Sequence, residues 1–264
     1  MNEPKLSVNG VRKVFEGRSG DVVALDGVDF EIAEKEFVTV IGTSGCGKST
    51  LLSIIAGLEE ETEGVVLLDG EEVYAPGRDR GVVFQSYTLF PWMTAQKNVE
   101  FALRGSKRER ADVARQHLEM VGLEGFADAY PSQLSGGMRQ RIAIARALSY
   151  KPPVLLMDEP FGALDAQTRQ LMQELLTKIW EEHRMTVMFV THDIDEAVFL
   201  SDRVLVMTAR PGRIKEVIPI DLPRPRTQEL VNSPEFGVLY DRILHLIREE
   251  VLNAMRQQEE AVAQ

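Results

Sequence analysis

In the stretch FVTVIGTSGCGKSTLLSIIAGL, residues 37–58, a glycine-rich centre separates two different hydrophobic patterns. Residues 37–41 form an apolar, β-branched run that is typical of a strand buried on both faces of a sheet. Residues 48–58 place apolar side chains at helical spacing, and Gly57 is suited to end that helix. The stretch therefore predicts strand, turn and helix in an α/β protein.

The centre of this stretch, residues 42–50, is called the phosphate loop below. Its glycines allow the backbone to wrap an anion at the positive end of a helix. Lys48 is placed to reach the β- and γ-phosphates of a nucleotide, and the Ser49 hydroxyl to ligate Mg²⁺. Cys46 is either a small buried filler or a thiol facing the phosphates.

Two carboxylates end the second apolar run, VLLMDEP, at residues 154–160. Asp158 is placed to hold Mg²⁺ through water, and Glu159 to act as general base towards an attacking water. Taken alone, the pair would equally be an acidic strand end that faces solvent. The phosphate loop upstream favours the catalytic interpretation.

A third predicted strand, TVMFVTH at residues 186–192, ends in a histidine. Asp193 is placed to cap the following helix, with Glu196 three residues on. His192 would then lie at the edge where open α/β sheets bind ligands. In isolation it would be a structural histidine. We expect that structural role for three other histidines, His117, His183 and His245.

LSGGMRQRIAIARAL, residues 134–148, predicts a second helix with a glycine-rich start. Ser135 is suited to the N-cap, and Gly136 and Gly137 leave backbone donors open, so this helix start is also suited to an anion. We call residues 135–137 the signature entrance. Considered alone, it would be an ordinary capped helix.

In their common order, these motifs resemble the ATP-binding cassette (ABC) family. GTSGCGKST is similar to its Walker A loop, LSGGM to its signature, VLLMDE to its Walker B strand and GALD to its D-loop. Gln85 resembles the Q-loop glutamine and Phe15 the aromatic residue that stacks on adenine, although Phe15 could equally belong to the core. The resemblance covers roughly residues 5–220. Met138 stands where the family usually has glutamine.

The resemblance implies a set of site residues. For ATP binding these are Phe15, Gly42, Thr43, Ser44, Gly45, Cys46, Gly47, Lys48, Ser49 and Thr50, with Ser135, Gly136 and Gly137 contacting the ATP of a partner subunit. For catalysis they are Glu159, His192 and Gln85, with Asp165 in the D-loop. For Mg²⁺ they are Ser49, Gln85 and Asp158.

The family resemblance also implies partners. They are a second ATPase subunit in a homodimer formed on ATP binding, integral membrane permease subunits and, indirectly, an extracytoplasmic solute-binding protein. LSGGMRQR, DEPFGALD and the tail ARPGRIKEVIPIDLPRPR resemble the ATPase subunits of nitrate, sulfonate and taurine importers. The stretch SYTLFPWMTA, residues 86–95, is the expected permease-docking surface, unless it is buried core. A soluble ABC ATPase and a P-loop small-molecule kinase are the alternatives.

Composition narrows the setting. The chain has 264 residues, of which 44% are hydrophobic, and a net charge of −11, which disfavours nucleic acid as a partner. One cysteine excludes an internal disulfide, and the start of the sequence has neither a basic nor an apolar leader pattern. We expect a peripheral protein on the cytoplasmic face of the inner (plasma) membrane.

The predicted architecture is an α/β P-loop NTPase core with a mixed sheet, an antiparallel β edge and an inserted helical subdomain. The core would span about residues 1–88 and 152–220, the helical subdomain about 89–151, and a C-terminal extension with a helix 221–264. Asp69-Gly70 predicts a hairpin turn. Four prolines between residues 211 and 225 predict an irregular or edge-strand segment.

Overall fold

The glycine-rich stretch lies in the first of two units into which the chain divides. The computed structural model describes residues 3–17, 20–86 and 88–262. The first unit comprises residues 1–77 and 184–264, and the second comprises residues 78–183. The proposed boundaries of core, helical subdomain and extension stay a prediction.

The elements follow one another in the alternating order that the sequence predicts. The strands are β1 (Leu6–Phe15), β2 (Val22–Ile32), β3 (Phe37–Ile41), β4 (Glu63–Leu68), β5 (Glu71–Glu72), β6 (Arg80–Val83), β7 (Val154–Asp158), β8 (Thr186–Thr191), β9 (Arg203–Met207) and β10 (Ile214–Pro219). The α-helices are α1 (Lys48–Ile55), α2 (Ala95–Glu100), α3 (Lys107–Met120), α4 (Gly136–Ser149), α5 (Ala166–His183), α6 (Ile194–Leu200), α7 (Gln228–Val231) and α8 (Pro234–Val262).

An antiparallel sheet of the first unit has the strand order β2-β1-β4-β5. The predicted hairpin joins β4 to β5, with Asp69 and Gly70 at φ 50° and 79°. Both central residues have positive φ, as a type I′ turn requires, because that turn matches the twist of the flanking strands. The Asp-Gly prediction is confirmed.

The strands that carry the phosphate loop form a mixed set in the order β10-β9-β3-β8. Strand β3 is buried along its whole length and pairs in parallel with both β8 and β9. Strand β10 pairs antiparallel with β9, as the proline pattern allows at an edge. Because carboxyl ends of parallel strands meet at one sheet edge, three segments lie there together: the phosphate loop, His192 and the segment after Met207.

The second unit contains one parallel strand pair and most of the longer helices. Strands β6 and β7 pair in parallel from Arg80 opposite Val154 to Val83 opposite Met157. Helix α4 packs against α3 and α5. Gln85 and Glu159 follow these two strands, so the parallel register places both residues at the same edge.

Helix starts follow the capping residues of the sequence. The Ser135 side chain accepts a hydrogen bond from Met138 N at the start of α4, and the Asp193 side chain accepts one from Glu196 N at the start of α6. Gly57, in the left-handed region at φ 72°, follows the last residues of α1. The α/β class with a mixed sheet and an antiparallel edge is confirmed.

Candidate nucleotide site

The backbone of the phosphate loop is fixed by glycines in the left-handed region. Gly45 has φ 76° and Gly47 has φ 106°. A Cβ atom on Gly47 would lie 2.7 Å from Leu25 Cδ2, so strand β2 closely confines this position. Gly47 is the N-cap of α1, and since it has no side chain, it leaves the helix start open to an anion.

Lys48 folds its side chain back into the loop that precedes it. The residue is 5% exposed, and its Nζ donates to the carbonyl oxygens of Gly42 at 2.8 Å and Thr43 at 3.0 Å. These bonds hold the ammonium group inside the curve of the loop. A phosphate bound at the start of α1 would therefore meet a positive charge that is already in position.

Cys46 lies under the loop. It is 1% exposed, and a Cβ atom on Gly42 would lie 2.8 Å from its Sγ. Its backbone N–H donates to Thr43 O at 3.3 Å. These contacts favour the small buried filler over a thiol that faces the phosphates, and we expect slow reaction with bulky thiol reagents.

The loop fits a Mg²⁺–nucleotide by its chemistry. In the first unit, Ser49 is exposed at the start of α1 and offers a hydroxyl oxygen. In the second unit, Asp158 ends β7 and carries a carboxylate. That both residues hold one Mg²⁺ stays a prediction. Hydroxyl, carboxylate and amide oxygens are the donors that Mg²⁺ accepts, usually together with phosphate oxygens and water. In the described ranges, no group of three or more His, Cys, Asp or Glu residues is placed to hold a metal ion.

His192 lies directly after β8 and is exposed. The turn that follows it is ordered by Thr191, whose Oγ1 accepts from Asp193 N at 3.0 Å, and by Asp193, which caps α6. The parallel register between β3 and β8 places Ile41 opposite Thr191. His192 therefore leaves the sheet at the same edge as the phosphate loop.

Phe15 ends strand β1 and is 40% exposed. The Lys13 ammonium lies 5.0 Å from the centroid of its ring. This exposure suits a stacking surface better than a core side chain, because core phenylalanines are buried. Its contact with adenine stays a prediction.

Gln85 and Glu159 come together at the edge of the β6–β7 pair. Gln85 Nε2 donates to Glu159 Oε2 at 3.4 Å, a long and therefore weak hydrogen bond. Glu159 has φ 42°, which is strained for a residue with a Cβ atom. Strained backbone of this kind clusters at functional sites, where the surrounding structure holds a side chain in a required direction.

Within the second unit, the signature entrance packs against Thr168 of α5, which is hydrogen-bonded to Asp165 of the D-loop. A Cβ atom on Gly137 would lie 2.6 Å from Thr168 Cγ2, so only glycine fits here without movement. Thr168 in turn donates from its backbone N to Asp165 Oδ1 at 3.0 Å and from its hydroxyl to Asp165 Oδ2 at 2.7 Å. These bonds lower the pKa of Asp165. Sequence reasoning named Gly137 and Asp165 but missed Thr168, which joins them.

The predicted docking stretch is ordered by a buried amide. Asn98 is fully buried, accepts from Phe90 N at 2.8 Å and donates to the carbonyl oxygens of Phe90, Met93 and Thr94. The ring of Phe90 lies 5.5 Å from that of Trp92 and 4.6 Å from that of Phe101. Trp92 and Phe101 are 70% and 61% exposed, so the stretch is not core. Tyr87 lies outside the described residues.

Arg146 links this stretch to the signature helix. It belongs to α4, and its guanidinium donates to both the carbonyl oxygen and the hydroxyl of Thr88 at 2.9 Å. The same group lies 6.0 Å from the centroid of Phe90. Sequence analysis missed this link, because Arg146 and Thr88 are 58 positions apart.

None of the described helices is long and apolar enough to cross a membrane.

Comparisons with known proteins agree on one family. The model of the family described as "ABC transporter" matches residues 25–162. An uncharacterised ABC transporter ATP-binding protein of Methanocaldococcus jannaschii is 57% identical over 255 residues, covering 96% of this chain and 94% of that protein. A nitrate import ATP-binding protein of Synechocystis is 49% identical over 252 residues, covering 92% and 95%.

A further relative and a solved structure extend this comparison. The aliphatic sulfonates import ATP-binding protein of Bacillus cereus is 48% identical over 239 residues, covering 90% of this chain and 94% of that protein. A dimeric structure of a post-hydrolysis state of an ATP-binding cassette, bound to ADP and phosphate, has a TM-score of 0.74 and 38% identity. It aligns with 83% of this chain and with 100% of its own chain.

Proposed function

We propose that this chain, which belongs to the ABC transporter family, is the ATPase subunit of an importer for a small anionic solute. Members of the family bind and hydrolyse ATP, and this chain is an ATP-binding and hydrolysing cassette of that kind. The observation that carries the proposal is the presence of two glycine-rich helix starts suited to the same anion, one in each unit.

ATP binds first at the phosphate loop. Backbone N–H groups at the start of α1 and the Lys48 ammonium hold the β- and γ-phosphates, and Phe15 stacks on adenine. Ser49, Gln85 and Asp158 would hold Mg²⁺, and the ion would neutralise phosphate charge. Lys48 is already held inside the loop by Gly42 and Thr43, so little ordering of its long side chain is needed on binding.

Hydrolysis requires a base beside the γ-phosphate. Glu159 takes a proton from water, the resulting hydroxide oxygen bonds to the γ-phosphorus, and the bond to the ADP oxygen breaks. The strained φ of Glu159 and its hydrogen bond with Gln85 support a fixed direction for the carboxylate. His192 contacts the γ-phosphate from the edge of the first unit.

Closure requires a second copy. Ser135, Gly136 and Gly137 of the partner subunit contact the ATP held by the phosphate loop of this chain, and the reciprocal site forms at the same time. Asp165 orients this interface through Thr168, which packs against Gly137. A dimeric cassette structure with 38% identity supports this arrangement. Hydrolysis removes the charge that joins the subunits, so the dimer opens.

Coupling to a membrane partner uses the aromatic rings of Phe90, Trp92 and Phe101, here called the aromatic patch, of which Trp92 and Phe101 are exposed. Asn98 holds the backbone of Phe90 in place, and Arg146 ties Thr88 to the signature helix. A displacement of the aromatic patch by a bound partner would therefore move α4, whose start carries the signature entrance. The permease subunits are the partners that fit this role.

The solute class rests on the relatives. The nitrate and sulfonate import proteins are 49% and 48% identical to this chain over at least 90% of its length. We infer import of a nitrate-, sulfonate- or taurine-like anion, with an extracytoplasmic solute-binding protein as an indirect partner. The chain then works as a peripheral protein on the cytoplasmic face of the membrane.

The test of this function is recovery of a membrane partner. The tagged chain, extracted with detergent from membranes of its own host and washed at high salt, should retain an integral membrane protein. Trp92→Ala should reduce recovery by at least about tenfold, because an exposed tryptophan at the centre of an interface is a typical hot spot.

The matched control is Tyr74→Ala, since Tyr74 is 76% exposed but lies in the first unit, away from the aromatic patch in sequence. Its recovery of the membrane protein should equal that of the wild type. No membrane partner with the wild-type chain would favour the soluble ABC ATPase. Equal losses in both variants would remove the aromatic patch from the docking role.

A further inference from the structure

The turn between β9 and β10, residues 208–213, lies beside the phosphate loop. We call it the 208–213 turn. Strand β9 runs parallel to β3, with Val206 opposite Ile41, so the segments that follow these two strands leave the sheet at the same edge. Thr208 closes the turn: its hydroxyl donates to Pro211 O at 2.8 Å and accepts from Arg213 N at 3.0 Å. The turn is therefore a fixed structure at the ligand edge of the first unit.

Two residues of this turn contact the phosphate loop directly. The Nε and Nη2 atoms of Arg210 donate to Gly45 O at 3.3 and 3.2 Å. Gly212 packs so closely that a Cβ atom on it would lie 2.2 Å from Cys46 O. Arg210 thus holds the Gly45–Cys46 peptide by hydrogen bonds, and Gly212 packs closely against the next peptide, Cys46–Gly47.

The turn is anchored on its other side by a buried carboxylate. Glu250 of α8 is 4% exposed, and its Oε2 accepts from Ala209 N at 2.8 Å. Its Oε1 accepts from Lys215 Nζ at 2.7 Å. Gly212 N also donates to Ala24 O at 2.9 Å. The backbone on both sides of Arg210 is therefore hydrogen-bonded to neighbouring elements, which holds its guanidinium within reach of the phosphate loop.

We propose that Arg210 is a positioning residue for the phosphate loop, a role that rests on the proposed function of this loop in holding ATP phosphates. Gly45 has a positive φ and no side chain, so its peptide would otherwise sample several orientations. Arg210 fixes the orientation of this peptide before the nucleotide arrives. The free energy of ordering the loop is then supplied by the fold and not by ATP binding.

The test compares nucleotide binding by Arg210→Ala, Arg210→Lys and a matched control, Arg256→Ala. Arg210 and Arg256 both line an open cleft between the 208–213 turn and α8. Arg256, however, donates within its own helix, to Asn253 Oδ1 and Leu252 O. Arg256→Ala therefore removes the same charge near the site without touching the phosphate loop. Binding of a fluorescent ATP analogue with Mg²⁺ is measured by titration, with KM and kcat from ATPase assays.

Arg210→Ala should weaken binding by about tenfold, because two hydrogen bonds from a charged group are lost. KM for ATP should increase, whereas kcat should change little, since no group that touches the reacting atoms is changed. Arg210→Lys should recover part of the affinity through its single ammonium donor. Arg210 is exposed, so the midpoint of thermal unfolding should change by only a few degrees.

An affinity within twofold of the wild type in Arg210→Ala would overturn the proposal. An equal loss in Arg256→Ala would overturn it as well, because general attraction of the anionic nucleotide would then explain the effect. The function itself is checked separately by Lys48→Ala. If Lys48→Ala also binds ATP like the wild type, the proposed function fails and not only the role of Arg210.

Discussion

The phosphate loop and the signature entrance are both glycine-rich helix starts, but they are stabilised in opposite ways. The phosphate loop has a glycine at its N-cap, and surrounding elements hold it: Leu25 confines Gly47, and Lys48 turns back into the loop. The signature entrance is capped by its own Ser135, which is exposed. Its Gly137 is pressed against Thr168 of the next helix.

We expect this difference to separate nucleotide binding from turnover. The phosphate loop carries its own cation and an open helix start, so it is complete enough to bind a nucleotide in one subunit. The signature entrance presents the Ser135 hydroxyl at the surface, and its Gly137 packs against Thr168, which is hydrogen-bonded to Asp165 of the D-loop. Changes at the first should therefore remove affinity, and changes at the second should remove turnover.

The largest expected effect is at the phosphate loop. Lys48→Ala removes the ammonium that lies inside the loop, so ATP affinity should fall by at least about 100-fold. Titration with a fluorescent ATP analogue measures this. Lys178→Ala, an exposed lysine on α5, is the control and should bind like the wild type. Tight binding of ATP by Lys48→Ala would show that the phosphate loop does not need its own cation for affinity, and the expected contrast with the signature entrance would fail.

A smaller effect, on turnover alone, is expected at the signature entrance. Gly137→Ala forces a Cβ atom to within 2.6 Å of Thr168 Cγ2, so the start of α4 or α5 must move. ATPase activity should fall by about ten- to a hundredfold, because a small misplacement of a contact group can cost this much in rate. The affinity of a single subunit for ATP should change less than about twofold.

A second substitution should restore the ATPase activity that Gly137→Ala loses. Thr168→Ser in the Gly137→Ala background removes the clashing methyl group but keeps the hydroxyl that donates to Asp165. Activity should recover in this double variant. Gly125→Ala, at a glycine of the second unit with open space around it, is the silent control. A loss of ATP affinity in Gly137→Ala would show that the signature entrance also contributes to nucleotide binding, and not to turnover alone.

The smallest effect is on stability against acid in the second unit. His117 of α3, which packs against the signature helix, is 7% exposed, and burial lowers its pKa below the ordinary 6.5. The unfolded chain therefore takes up a proton more readily than the folded one. The stability that neutral His117 contributes is fully present above pH 6.5 and is lost as the pH falls from there towards the folded pKa.

Urea unfolding at about pH 7.5 and about pH 5.5 measures this loss. His117→Gln should lose less stability between the two pH values than the wild type. His245→Gln should behave like the wild type, since the His245 side chain is 80% exposed. An unchanged pH dependence in His117→Gln would show that burial of this ring is not linked to acid sensitivity.

Local patterns in the sequence predicted much of the fold. The β3–α1 stretch, the Asp69-Gly70 hairpin and the caps at Ser135 and Asp193 are each set by neighbouring residues, and each is confirmed. The sequence predicts a helix within the C-terminal extension, residues 221–264, and α8 runs there from Pro234 to Val262.

Contacts between distant segments could not be predicted in this way. Arg210 lies 165 positions from Gly45, and its segment ARPGR was noticed only as part of a family resemblance. Thr168 beside Gly137 and Arg146 beside Thr88 were missed for the same reason. A sequence pattern shows which residues share a helix or strand, but strand order decides which loops meet at a sheet edge.

The mass of Glu159→Gln in MgATP, measured by light scattering, tests whether ATP joins two subunits between the phosphate loop of one and the signature entrance of the other. Glutamine keeps the shape of Glu159 but cannot accept the proton, so hydrolysis should fall by about 10²- to 10⁴-fold while binding survives. We expect Glu159→Gln to form a stable dimer in MgATP, which disappears when Ser135→Arg is added to fill the signature entrance. A monomer with ATP fully bound to Glu159→Gln, or hydrolysis near the wild-type rate, would contradict it.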